Sequence, residues 1–431
     1  MQSFLTICVL LASLGGLAAN AEPLRHVLLD TAGNVRVANF SLSSGDVPGS
    51  GGPWSIRSET LHGGTQEGVD LVTIDAGGLV IRVIPTRGMS VLDVRRGDFR
   101  LGWDSPVKEL VHPRHVDLES RGGLGWLQGF NEWMVRCGLE FAGHPGLDEF
   151  TDNTGAKATM PLSLHGRIGN LPASRVEVIV DREPPHRLRL RGVVHERWFN
   201  GPKLELATEL SITPGSDVVR IEDAVTNHGA TPQEFQLIYH ANFGRPLLEQ
   251  GARVVAAIER IAPMNEHAAR AIASYETYAG PVAGFIEEVY LAWPYADQSG
   301  RSTALLQNAA GDRGATIRWT LAECPYLGIW KNTAAEADGY VTGIEPMTGF
   351  PYNRRIERQA GREGAPRPRR RVLVPDVHVG DRELQVGDDR VDQSAEEAAA
   401  AVGLRVRARV AARAVLVAAR GLERLELLDP A

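Results

Sequence analysis

The chain has 431 residues, 43% of them hydrophobic, and a formal net charge of -7. That is ample for a large core, and one domain of β type can use most of it. An acidic balance without a broad basic face excludes a general nucleic-acid binder.

Residues 1–21 read as a secretory signal. Phe4 to Leu14 is an apolar run too short to span a bilayer comfortably, and Ala19-Asn20-Ala21 has the small-x-small form that precedes cleavage. The start, Met1-Gln2-Ser3, lacks the usual Lys or Arg. No other stretch is apolar enough for a membrane helix, so no membrane contact beyond export is expected. Val69 to Ile74 and Leu79 to Ile84 flank Asp75-Ala76-Gly77-Gly78, which predicts a hairpin, and Val91 to Val94 is the next strand. The Gly-rich segments 44–52, 121–130 and 138–146 read as long loops. Leu188 to Val194 is a strand introduced by Pro184-Pro185. In the next strand Leu204, Leu206, Leu210 and Ile212 alternate with Glu205, Ala207, Glu209 and Ser211 as far as Thr213-Pro214-Gly215-Ser216. Val218 to Val225 follows and stops at Asn227-His228-Gly229. Residues 252–261 and 265–274 are possible short helices. The class is therefore mainly β, with turns recurring about every ten residues, and this suits a large two-sheet sandwich.

The composition changes after about Arg358. Residues 359–431 contain no Phe, Trp, Tyr, Ile or Lys and include Arg367-Pro368-Arg369-Arg370-Arg371. The expected organisation is a signal at 1–21, a β-sandwich at 22–358 and an atypical Ala/Arg-rich tail at 359–431. Two readings of the tail stay open: a helical or disordered extension, or a reading-frame slip in a GC-rich gene. Cys8 lies in the signal; Cys137 and Cys324 are either buried free thiols or a pair formed after export.

Three separated motifs carry chemistry: Leu164-His165-Gly166-Arg167, Tyr239-His240-Ala241-Asn242-Phe243-Gly244 and Gly343-Ile344-Glu345-Pro346-Met347. Two histidines and a carboxylate suit paired acid/base work on a neutral sugar, where a hydroxyl proton is taken and a ring oxygen protonated. His240 ends a strand before a Gly-containing turn, at the rim of a sheet where a cleft can form, and it titrates near neutrality. Apolar neighbours of Glu345 would desolvate it and raise its basicity. Taken singly, each of the three also reads as an ordinary structural or surface residue. Arg87, in Pro85-Thr86-Arg87-Gly88-Met89, and Arg167 have planar forks for sugar hydroxyls, or for ordinary ion pairs. Trp126, Trp133, Trp293, Trp319 and Trp330 include candidates for a stacking wall. His112-Pro113-Arg114-His115 reads as a surface loop, because proline disfavours a helix with both histidines on one face. His165, His240 and Glu345 are also a familiar zinc ligand set. No dinucleotide fingerprint, P-loop or nucleophile elbow is present in a convincing context.

Taken together, the motifs resemble the galactose mutarotase-like superfamily, and within it a bacterial aldose 1-epimerase-like branch of largely unassigned activity. The resemblance covers roughly residues 60–358. Its marks are Ile84-Pro85-Thr86-Arg87-Gly88-Met89, Leu124-Gly125-Trp126-Leu127-Gln128-Gly129-Phe130, Arg136-Cys137-Gly138-Leu139 and the three motifs above. It implies a β-supersandwich with a sugar site in its concave face and no cofactor or metal. It further implies Glu345 as base, His240 as acid and His165 in support of the ring oxygen or a neighbouring hydroxyl, with Arg167, Arg87 and Asn242 binding substrate. The expectation is an exported carbohydrate epimerase acting on a small free sugar or sugar acid. Two alternatives keep the same residues: an isomerase or lyase on a modified sugar, or a non-catalytic carbohydrate-binding protein.

Overall fold

The computed structural model describes residues 22–362 and the backbone of 370–381. The signal at 1–21 and the tail beyond 381 lie outside the described residues. Two large antiparallel sheets face each other. The first has ten strands, in the order Arg253–Ala256, Arg301–Gln307, Arg313–Thr320, Arg370–Asp381, Val218–Asn227, Lys203–Ile212, Leu188–Arg197, Arg175–Val180, Leu24–Asp30 and Val35–Arg36. The second has twelve. Its order runs Ile258–Pro263, Glu288–Pro294, Tyr326–Asn332, Val341–Met347, Gln236–Phe243, Met134–Leu139, Ser90–Arg96, Leu79–Ile84, Asp70–Asp75, Ser55–Thr60 and Phe40–Ser43, with Phe99–Leu101 also on Ser90–Arg96. Gly146–Thr151 and Lys157–Leu162 form a separate hairpin.

Alternation builds the sandwich. Leu188, Leu190, Val194, Leu204, Leu206, Leu210, Val219 and Ile221 of the first sheet pack against Ile74, Ile81, Val94, Leu237 and Tyr239 of the second in one apolar core. The expected hairpin is Asp70–Asp75 with Leu79–Ile84, and Asp75 holds its turn by accepting from the amides of Gly77 and Gly78. The core also buries one charged cluster. Arg136 of the twelve-stranded sheet pairs with both oxygens of Asp223 across the sandwich, and it donates to Thr208 Oγ1 at 2.7 Å and to the Met89 carbonyl at 3.1 Å. The Tyr239 hydroxyl donates to the same carboxylate at 3.0 Å.

Two expectations change. Residues 252–261, expected as a helix, are two strands, Arg253–Ala256 on the first sheet and Ile258–Pro263 on the second. β-branched Val254, Val255, Ile258 and Ile261 suit half-buried pleats, and each strand finds an edge to pair with. A helix does form at Glu266–Ala271, where the Asn265 side chain caps the Ala268 amide. Residues 370–381, set apart with the tail, form a strand between Val218–Asn227 and Arg313–Thr320. The run Val372-Leu373-Val374, with Val377 and Val379 beyond it, has the β-branched content a strand needs. Cys137 and Cys324 are both buried free thiols.

Candidate active site

The face of the twelve-stranded sheet turned away from the inter-sheet core carries the site. Ile238 pairs with Met347 and Ala241 with Ile344, a register that sets His240 opposite Glu345. On the other side Gly328 pairs with Glu345 and Trp330 with Gly343. One cross-strand row therefore reads Gly328, Glu345, His240, Val135, and the next reads Trp330, Gly343, Asn242. Because side chains alternate along a strand, both rows face the same way. The two glycines make the room. A Cβ on Gly343 would collide with Glu345 Oε1 and press on the Trp330 ring. The predicted consequence for Gly343→Ala is a folded protein with its carboxylate displaced. Its loss of activity should exceed about 10²-fold, because misplacement of about 1 Å is enough for that. Circular dichroism beside the turnover rate checks both halves.

His240 and Glu345 are buried, with Nε2 and Oε1 3.3 Å apart. The partners of Asn242 fix the histidine tautomer. Its amide nitrogen donates to the Glu132 carbonyl at 3.0 Å and the His240 carbonyl at 3.1 Å, which turns its oxygen toward His240 Nδ1 at 2.7 Å. Nδ1–H therefore donates, and Nε2 presents a lone pair toward Glu345. Burial pushes His240 down to about 4. Burial, then the negative charge of Glu287, pushes Glu345 up to about 8. The 3.3 Å contact has ion-pair length, yet both burial effects oppose charge. At neutral pH the pair thus holds one proton, on Glu345, with His240 neutral. Among the described residues Glu345 Oε1 has no partner beyond its 3.3 Å contact with His240 Nε2, which leaves it open to a ligand.

His165 enters from a loop. Its backbone takes a left-handed φ of 60° and Gly166 follows at 68°. This costly conformation for a residue with a Cβ is held by hydrogen bonds from Gly138 N to His165 O (3.1 Å) and from His165 N to Gly143 O (3.0 Å). The ring donates from Nδ1 to the Ala142 carbonyl at 3.0 Å, leaving Nε2 as an acceptor, and burial drives its pKa well below the usual histidine range. Its centroid lies 5.1 Å from that of His240. Trp126 packs edge-on to His165 at 4.7 Å, while Phe130 and Trp330 each lie 5.4 Å from His240. Trp330 reaches outward, its indole N–H donating to Glu287 Oε2 at 2.9 Å.

The other expected substrate binders have different placements. Arg87 is wholly buried; it donates to Glu132 Oε1 (2.8 Å), Val111 O (3.0 Å), Asn170 Oδ1 (3.1 Å) and Gly129 O (3.0 Å). It fixes Glu132, whose carbonyl orients Asn242, and takes no part in the cleft surface. Asn242 is likewise fully buried, with oxygen and nitrogen both committed, and its oxygen orients His240. Arg167 lays its guanidinium over the Trp198 ring at 4.4 Å, and its charge acts on buried Glu196. Of the tryptophans, Trp126 and Trp330 surround the histidines, Trp133 and Trp319 lie in the inter-sheet core, and Trp293 packs on Phe350 and Tyr326. His112 Nδ1 accepts from the Arg114 amide in a short turn. No three His, Cys, Asp or Glu side chains among the described residues converge at metal-ligand spacing. Sequence reasoning missed Glu287. The alternation Glu287, Val289, Leu291, Trp293 into the following strand was the available signal.

Residues 66–370 match the profile of DUF4432, a domain of unknown function. The chain is similar to a Klebsiella pneumoniae protein provisionally named an aldose 1-epimerase, with 41% identity, a TM-score of 0.77 and coverage of 83% of this chain and 91% of that one. A galactose mutarotase-like protein of Clostridium acetobutylicum, at 16% identity and a TM-score of 0.52, covers 76% of this chain and 98% of its own length; that likeness is one of fold. No functionally curated protein matches.

Proposed function

We propose that this chain, which belongs to the DUF4432 family and has the galactose mutarotase-like sandwich, is a carbohydrate epimerase that exchanges the anomers of a small sugar. The observation that carries this reading is the buried His240–Glu345 pair, with Nε2 and Oε1 3.3 Å apart and burial opposing charge on both groups. In the ring-opening direction the carboxylate takes the anomeric hydroxyl proton and the imidazolium protonates the ring oxygen. The bond from C1 to the ring oxygen breaks, leaving an open-chain aldehyde. Rotation about C1–C2 and closure on the opposite face give the other anomer. Closure uses the exchanged roles: protonated Glu345 returns a proton to the new hydroxyl oxygen, and neutral His240 Nε2 takes one from the attacking hydroxyl. The resting pair is already in this second state, and movement of the shared proton between Oε1 and Nε2 supplies the first. His165, with Nε2 as a lone-pair acceptor, receives a bond from a sugar hydroxyl; a ring oxygen has no proton to give it. Trp126, Phe130 and Trp330 supply apolar surface for the sugar's C–H face. The apolar start at 1–21 supports action outside the cytoplasm.

Freshly dissolved single anomers, followed by proton NMR, test the reading. Exchange clearly faster than in buffer is expected for at least one sugar, and buffer-rate exchange across a broad panel would sink it. The active pair needs one proton. Below about 4 both groups are protonated and no base remains; above about 8 neither is, and no acid remains. The profile of kcat/KM against pH is therefore expected to rise through about 4 and fall through about 8.

A further inference from the structure

Glu287 stands at the end of the loop that precedes Glu288–Pro294, exposed at the outer edge of the aromatic wall. The bond from Trp330 Nε1 to Glu287 Oε2, 2.9 Å long, ties its carboxylate to the ring that packs on His240 and lies 6.1 Å from Phe130. Its other oxygen makes no hydrogen bond to the described residues, so the group keeps acceptor capacity toward the cleft.

Glu287 reaches the site through Trp330, and its negative charge acts on Glu345. It acts also on His144, whose own influence reaches His165. Three arginines of the surrounding segments are engaged elsewhere. Arg87 is locked under the loop by Glu132, Arg167 lies on Trp198, and Arg260 stacks on Trp293 and acts on Tyr326. A carboxylate or phosphate on the substrate would meet the Glu287 carboxylate, with these three arginines held away from it. A hydroxyl or an ammonium would meet a ready acceptor.

We propose that Glu287, held by Trp330, is the specificity-determining residue of the cleft: it admits uncharged and amino sugars and rejects sugar acids and sugar phosphates. This rests on the epimerase reading and narrows it, since a sugar acid is otherwise an equal candidate. Rejection arises by building in a repulsion against the wrong ligand rather than a better fit to the right one.

The test compares wild type, Glu287→Gln and Glu287→Lys on three substrates of one stereochemical series: the neutral aldose, its 2-amino-2-deoxy analogue and its uronate, in both the gluco and galacto series. Anomer exchange is followed by NMR at low salt. Wild type is expected to favour the neutral and amino sugars over the uronate by about tenfold or more in kcat/KM, the size of one close, partly screened charge pair. Glu287→Gln should remove most of that ratio and Glu287→Lys should invert it; the readout is the ratio of kcat/KM between the three substrates, because any change that reaches Glu345 or Trp330 acts on all three alike. An unchanged charge order in both variants, or a wild-type preference for the uronate, would overturn the proposal. If wild type exchanges none of the sugars, the epimerase reading fails first, and dissociation constants of the same sugars measured by ligand-observed NMR then decide. The same charge order in binding upholds Glu287, and no binding or no charge order sinks it as well.

Discussion

Glu345→Gln is expected to lower anomer exchange by about 10³-fold while making the protein more stable. The catalytic loss is the usual range for removing a positioned acid/base group, 10² to 10⁴. Glutamine copies the shape of the neutral carboxyl that the folded protein already prefers, so it cannot take a proton yet fits between Gly328 and Gly343. The stability gain follows from linkage. Glu345 has a folded pKa of about 8 against an ordinary 4.5, so folding favours its protonated form. Wild-type stability is therefore greatest below the unfolded value and is lost as pH rises toward and through about 8. Glutamine does not titrate and escapes that loss. The two proteins should be alike at and below about pH 4.5. Above it they diverge, by at most about 5 kcal/mol near pH 8, the upper limit for about 3.5 units. Urea denaturation at pH 4.5, 6 and 8, beside exchange rates, checks both halves. An active variant would remove Glu345 from the chemistry, and parallel stability curves would show that its carboxyl is not held neutral.

Asp223→Ala carries the largest expected cost to folding, about 3–5 kcal/mol. The side chain is buried and receives Arg136 and Tyr239, so its loss strands a guanidinium between the sheets with only Thr208 and the Met89 carbonyl as partners. A charge left unpaired in a dry interior is worse than no charge at all. The double substitution Arg136→Met with Asp223→Leu should therefore recover most of the stability that either half loses alone. Denaturant titration of the four proteins gives the coupling directly. A loss below about 1 kcal/mol in Asp223→Ala would mean that water reaches Arg136.

The strands at 70–84, 188–197, 203–212 and 218–227 were legible because their apolar residues alternate and turn residues bound them. The His240–Glu345 pair was legible as separated motifs, although only register made it a pair. Arg87 and Asn242 lie buried beside the site for one physical reason: a polar side chain beside a motif satisfies itself wherever carbonyls lie, and Val111, Gly129 and Glu132 come from elsewhere in the chain. Residues 252–261 have too few periodic positions for local sequence to overrule pairing with Arg301–Gln307 and Glu288–Pro294. Glu287 belongs to no motif, and its position emerges only once Trp330 is placed.

The strand Arg370–Asp381 also has a temporal side. It pairs with Val218–Asn227, which leaves the ribosome about 140 residues earlier. At about 5–20 residues per second, the open edge of Val218–Asn227 waits roughly 10–30 s for its neighbour to be synthesised. For that interval the nascent chain presents an unpaired β edge of the kind that captures other chains. Chain termination or ribosome pausing before codon 370 would prolong the exposure, so the demand for chaperone protection falls on the stretch of translation between residues 227 and 370.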